Sequence, residues 1–199
     1  MKKIDIVQDG YMITASGIMF NLMNPKKFQI KIEDIAHGLS NICRWNGHTQ
    51  KFYSVAEHSI RCVTQFLSMV KGNSEISVLK TKEPTAFDNY IWQNSLALLL
   101  HDSEEAYWGD IISPLKKVYP EINGKMIALR EMILRKYGAS DFNKETVKII
   151  DLRLLTWEYE NLIKSNKKRP WSPMKAKEKY LEWYFDINKE YHKLICEPK

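Results

Sequence analysis

Asp151 sits among Val147, Ile150, Leu154 and Leu155, the spacing of one buried helix face. A carboxylate on such a face is costly unless it is paired or bound to a cation. His101 and Asp102 follow the apolar run Leu96-Ala97-Leu98-Leu99-Leu100, on a segment that belongs in the core. His58 lies one turn into a helix whose opposite side is polar. Taken singly, each reads as hydrogen-bonded structure, the commonest role of a buried His or Asp. Taken together, two imidazoles and two carboxylates on three core helices form a donor set for one hard-to-borderline divalent ion. Co, Mn, Zn and Fe all qualify. Cys43, Cys62 and Cys196 are widely spaced and contain no CxxC pair. That argues for reduced thiols and against a disulfide framework or a cysteine zinc site.

The elements that must position these residues are mostly helical. Ile32 to Ser40 reads as a short helix. Ser54-Val55-Ala56-Glu57 has the form of a capping box, Ser54 accepting from the Glu57 amide while Glu57 reaches back. It opens a helix with apolar positions at Val55, Cys62, Val63, Phe66, Leu67 and Val70. Residues 71–88 read as a loop with at most a turn of helix, and a deeply buried helix carrying Ile91, Trp92 and Leu96 follows. Ser113-Pro114 places Ser at a cap and Pro at a first helical position. Ile122 to Tyr137 is amphipathic and stops at Gly138. Lys144 to Lys164 reads as one long helix, and Ser172-Pro173 opens a last one reaching about Ile195. Residues 1–30 read as a short strand pair or irregular structure. The expected class is all-α: a single domain over 1–199, with a motif-bearing core of about 30–165 and a C-terminal helix of about 172–195.

Composition narrows the function classes. With 44% hydrophobic and 27% charged residues, the chain has the balance of a soluble globular protein. It lacks an apolar run long enough to span a bilayer, and Met1-Lys2-Lys3-Ile4-Asp5 lacks a signal-peptide stretch, so the cytoplasm is expected and a membrane partner is not. The net charge of +6 fits an anionic ligand. Much of that excess lies in Lys164-Ser165-Asn166-Lys167-Lys168-Arg169, which reads as a solvated loop without the aromatic interleaving of single-strand binders. No stable nucleic-acid partner is expected.

The same residues carry a resemblance. Ser54-Val55-Ala56-Glu57-His58-Ser59, Leu98-Leu99-Leu100-His101-Asp102 and Ile150-Asp151 resemble the H…HD…D signature of the HD-domain phosphohydrolases. Arg44-Trp45-Asn46-Gly47-His48-Thr49 and His101-Asp102-Ser103-Glu104-Glu105-Ala106-Tyr107-Trp108-Gly109-Asp110 look like the small bacterial and phage branch. That branch includes 5′-deoxynucleotidases and deoxynucleoside triphosphate hydrolases, and the similarity runs from about residue 12 to residue 160. The resemblance implies a helical HD-type bundle hydrolysing the 5′-phosphate end of a deoxynucleoside mono- or triphosphate with metal-activated water. It implies His58, His101, Asp102 and Asp151 as metal ligands and Glu105 as the acid that handles the attacking water, with Glu104 facing solvent. Arg44 matches a phosphate-binding arginine, Trp45 a residue packed on the sugar, and Asp110 an acceptor for the sugar 3′-hydroxyl. His48 and Lys116 are expected phosphate contacts. The chain departs from the branch in reading Ile111-Ile112 after Gly109-Asp110, where Ile-Pro is common.

Rival readings stay open. A signalling-nucleotide hydrolase of the same superfamily would carry a second acid where this chain has Ala106. A dinuclear phosphodiesterase needs more histidines than His37, His48 and His192. A nuclease needs a broad basic groove. A non-catalytic nucleotide-binding protein would have no use for Glu105. The aromatic C-terminal helix (Tyr180, Trp183, Tyr184, Tyr191) reads as core or as the interface of a homo-oligomer.

Overall fold

The computed structural model describes residues 9–73, 80–165 and 167–196, with side chains described as far as Tyr191. The fold is all-α, with one short hairpin. Strands β1 (Tyr11–Ile13) and β2 (Met19–Asn21) pair antiparallel, Met12 opposite Phe20. Ser16 ties the hairpin to the start of α1 (Ile32–Asn41), its amide and hydroxyl donating to the two Asp34 carboxylate oxygens at 2.8 and 2.7 Å. There follow α2 (Val55–Lys71), α3 (Pro84–Leu100), α4 (Glu105–Trp108), α5 (Ser113–Val118), α6 (Pro120–Lys136), α7 (Lys144–Glu158) and α8 (Pro173–Cys196). Among the described residues no helix is long and apolar enough to cross a membrane.

Helices α2 and α3 pack on each other at the centre, and α8 lies across α1, α2 and α3. Val63, Phe66, Leu96 and Leu98 are sealed between them. Tyr180 is also fully buried, and its hydroxyl donates to Leu99 O at 2.8 Å. The last carbonyls of a helix have no partner within it. At the end of α3, Leu98 O accepts from His101, Leu99 O from Tyr180 and Leu100 O from the Ser103 amide. His101 and Asp102 thus stand where two of the helix's unmet acceptors are met by side chains and a third by a backbone amide.

Several local expectations need correction. Ser54 does accept from the Glu57 amide at 3.1 Å, but Glu57 does not reach back. Its carboxylate takes Arg61 at 2.6 Å and the Trp171 amide at 2.6 Å instead, fastening α2 to the entry of α8. The expected 71–88 loop is shorter, because α3 already starts at Pro84, where proline's fixed φ suits a first helical turn. The long helix expected over 144–164 is α-helical to Glu158 and then widens to a π-helix over Tyr159–Lys164. Ser113 is not a cap, since Ile112 holds that position. Gly138 does end α6 in the left-handed region, at φ +84°. Residues 1–8 of the expected N-terminal segment and 74–79 of the expected loop lie outside the described residues, as does the Cys196 side chain.

Candidate metal centre

The four expected ligands come from three stretches of chain and meet at one point. His58 Nε2 lies 3.2 Å from His101 Nε2, 3.2 Å from Asp151 Oδ1 and 3.7 Å from Asp102 Oδ2. His101 Nε2 lies 3.2 Å from Asp102 Oδ2 and 3.9 Å from Asp151 Oδ1. Donor atoms about 2.0–2.2 Å from a common ion are separated from one another by roughly 3.0–3.5 Å, so the observed edges are those of a coordination shell with slight slack.

Tautomers decide what these atoms offer. His101 Nδ1 lies 2.7 Å from Leu98 O, and a carbonyl only accepts, so Nδ1 carries the proton. His58 Nδ1 donates in the same way to Glu158 Oε1 at 2.6 Å. In the neutral rings both Nε2 lone pairs therefore point at each other and at two carboxylate oxygens. This is the arrangement in which a ligating histidine is oriented by its second nitrogen. Charge gives the same answer. Arg44 pairs with Asp102 and Glu158, and Asp151 adds a third carboxylate, so with both imidazoles neutral two negative charges remain uncompensated. One divalent cation balances them.

The ionisation tendencies follow. Burial opposes a proton on His101, but Asp102 and Asp151 prevail and raise it to about 10. Burial and Arg44 oppose one on His58, yet Cys62, Glu158 and Asp151 carry it well above its ordinary value. Burial acts against the carboxylates too, but both imidazoles hold Asp102 and Asp151 below the usual range. The cluster demands positive charge, supplied by protons or by a metal that displaces them.

Two members of the site escape the sequence reading. Cys62 stands one helical turn after His58 with Sγ 3.6 Å from its Nε2. One ligand atom from each of His58, Cys62, His101 and Asp151 lies within 4.8 Å of the others, forming a buried cluster able to hold a metal ion. Cys62 is a free thiol, as expected, but it belongs to the site as well as to the apolar face of α2. Glu158 is fully buried and accepts from His58 Nδ1, from Trp45 Nε1 at 3.0 Å and from Arg44 Nε at 3.3 Å. The two basic groups hold its carboxyl down at about 2 against the opposing effect of burial.

Arg44 bridges Glu158 and Asp102, its Nη1 lying 3.3 Å from Asp102 Oδ2. Trp45, Asn46 and Gly47 all have positive φ, at 58°, 48° and 77°. For a tryptophan this is costly, and the indole bond to Glu158 holds it there. His48 ends this turn, exposed, and among the described residues it makes no hydrogen bond or ion pair to the cluster. Glu105 is 2% exposed, with Oε1 held by Lys116 Nζ at 3.1 Å and Oε2 buried without a hydrogen-bond partner among the described residues. Burial, Asp102 and Asp110 push its carboxyl well up, against Lys116. Lys116 is thus committed to Glu105. Burial also raises Asp110, half-buried between Arg44, Asp102 and Lys116. Glu104, expected to face solvent, is 1% exposed instead. It pairs with Arg130 at 3.3 Å, because the short α4 turns both acids inward from the end of α3.

Fold and site together define an all-helical protein with a buried His/Cys/Asp cluster able to hold a metal. The chain belongs to the family of the uncharacterized protein YfdR of Escherichia coli, with 35% identity over 153 residues, 77% of this chain and 72% of YfdR. It is also similar to the uncharacterized protein RCAP_rcc00048 of Rhodobacter capsulatus, 38% identical over 119 residues, 57% of this chain and 52% of that protein. No family model matches the chain.

Proposed function

We propose that the protein is a metal-dependent phosphohydrolase acting on the 5′-phosphate end of deoxynucleotides, as its resemblance to the HD-domain phosphohydrolases implies. The observation that carries the reading is a donor cluster with fixed tautomers beside Glu105, a buried carboxyl with one oxygen unpaired among the described residues. A bound divalent cation supplies Lewis acidity toward a phosphoryl oxygen and toward water. Glu105 takes the proton that leaves the attacking water, and Lys116 fixes one of its two oxygens. The water oxygen bonds to phosphorus, the P–O5′ bond breaks, and the proton passes to O5′. Arg44 uses Nε and Nη1 on Glu158 and Asp102, which leaves Nη2 for a phosphate oxygen. The Trp45 indole, pinned at its edge, offers a flat wall against the sugar, and Asp110 offers an acceptor for the 3′-hydroxyl. A rigid indole at C2′ penalises a ribose by leaving its hydroxyl unpaired.

The test is turnover of matched ribo- and deoxynucleotides with Mn, Co, Zn and Mg, products identified by chromatography. Deoxynucleotides are consumed preferentially by the wild type. Glu105→Gln loses about 10²–10⁴-fold in turnover while retaining its metal. Absence of turnover on every nucleotide and metal refutes the hydrolase, and equal rates on ribo and deoxy forms refute the sugar wall.

A further inference from the structure

The H…HD…D pattern accounts for four donors, and the structure adds a fifth that the pattern does not contain. Cys62 follows His58 by four positions on α2, so the two side chains share one face of the helix. The cysteine is fully buried, and its Sγ lies 3.6 Å from His58 Nε2. That nitrogen carries the open lone pair, because Nδ1 is occupied by Glu158. Sγ also lies within 4.8 Å of a ligand atom of His101 and of Asp151. Apolar packing asks only for a small hydrophobic side chain at position 62. It gives no reason for a sulfur to stand among these donors.

Distance and softness agree. With zinc–nitrogen bonds of about 2.0–2.1 Å and zinc–sulfur bonds of about 2.3 Å, nitrogen and sulfur on a tetrahedral ion stand roughly 3.5 Å apart. Two nitrogen or oxygen donors stand roughly 3.3–3.4 Å apart on the same ion. From His58 Nε2 the structure shows 3.6 Å to sulfur, against 3.2 Å to both His101 Nε2 and Asp151 Oδ1. The longer edge is the one that ends on the larger atom. Manganese and magnesium prefer oxygen, and beside them the thiol keeps its proton. Zinc, cobalt and ferrous iron bond strongly to sulfur, and a thiol that coordinates them loses its proton, here to solvent. The thiolate adds a third negative charge to the two that a divalent ion balances. Asp151, in the same cluster, is 40% exposed, so water helps to screen it.

We propose that Cys62 binds the metal as a thiolate and biases the centre toward zinc, cobalt or ferrous iron over manganese and magnesium. His58, His101 and Asp151 share the ion with it. Asp102, which also receives Arg44 Nη1 at 3.3 Å, remains within reach of both histidines. The bias follows from the donors themselves, whichever reaction the metal serves.

The probe is cobalt(II), titrated into the metal-free protein. A thiolate-to-cobalt charge-transfer band in the near ultraviolet appears in the wild type and in Cys43→Ser, which alters the other described free thiol, and is missing from Cys62→Ser. Losing even an outer partner of a ligand costs about tenfold or more in metal affinity. Cobalt and zinc affinities of Cys62→Ser and Cys62→Ala therefore fall at least about tenfold by calorimetry, while manganese affinity stays at the wild-type value. Unchanged manganese binding also shows that both variants fold. A cobalt-loaded wild type without the band overturns the thiolate ligand, and that result needs no variant. So does an equal loss of cobalt, zinc and manganese affinity, which marks Cys62 as a packing residue. The band without turnover of any nucleotide upholds the thiolate and refutes the hydrolase, and turnover without the band does the reverse.

Discussion

Glu158 shows what one buried carboxylate can hold together. It orients His58, pins the Trp45 indole and neutralises Arg44, joining the donor cluster to the 44–48 turn. Replacing it by Gln keeps the shape and removes the charge. We expect Glu158→Gln to weaken Mn binding about 10- to 100-fold, the usual effect of losing a histidine's outer partner. Calorimetric titration of metal-free protein reads this directly, and an unchanged affinity would reduce Glu158 to a packing residue. His58, His101, Asp102 and Asp151 were legible as a group because each interrupts an apolar pattern, although the stripe expected around Asp151 is sealed only at Ile150 and Leu154, Asp151 being 40% and Leu155 39% exposed. Glu158 was not, although it lies seven positions beyond Asp151 and so on the same face. Its partners are 100 or more residues away in sequence, and local periodicity carries no record of them. Cys62 was hidden by its own hydrophobicity, since a cysteine at an apolar position reads as core.

Among the elements, the contact between α1 and α4 governs where Glu105 sits. Gly38 faces Ala106, and a methyl group at Gly38 would stand 2.9 Å from the Ala106 carbonyl oxygen and 3.0 Å from its Cα. Those atoms are backbone, so α4 itself would have to shift. Gly38→Ala is therefore expected to cost about 1–3 kcal/mol despite the better helix propensity of alanine. Denaturant unfolding measures it, and a stability equal to or above the wild type would show that α4 yields freely. Helix starts were legible where chemistry marks them, at Ser54 and at Ser172-Pro173. The α-to-π change after Glu158 was not, because both windings keep apolar residues on roughly the same side over so short a span. Nor was the inward turn of Glu104, which depends on Arg130 arriving from α6.

Across the whole molecule, the cluster fastens α2, the end of α3 and α7 at one point, while the main core lies to the other side under α8. Val63, Phe66, Leu96 and Tyr180 are fully buried, so that core is held by apolar burial. A bound ion would add to that stability by mass action. At a free concentration 100 times its dissociation constant it contributes about 2.7 kcal/mol. For a chain of this size, each kcal/mol moves the melting temperature by about 2–4 °C. Chelation should therefore lower the melting temperature of the metal-loaded wild type by roughly 5–10 °C, in one cooperative transition. Asp151→Ala separates the ion from the fold. Its side chain is 40% exposed, so its removal opens no core cavity, yet it takes one carboxylate from the donor set. That variant should melt at the same temperature with and without chelator, near that of the chelated wild type. A wild type that contains stoichiometric metal but melts identically after chelation would show that the ion does not bridge the three helices. An Asp151→Ala protein that still responds to chelator would transfer the bridging to His58, Cys62, His101 and Asp102 alone.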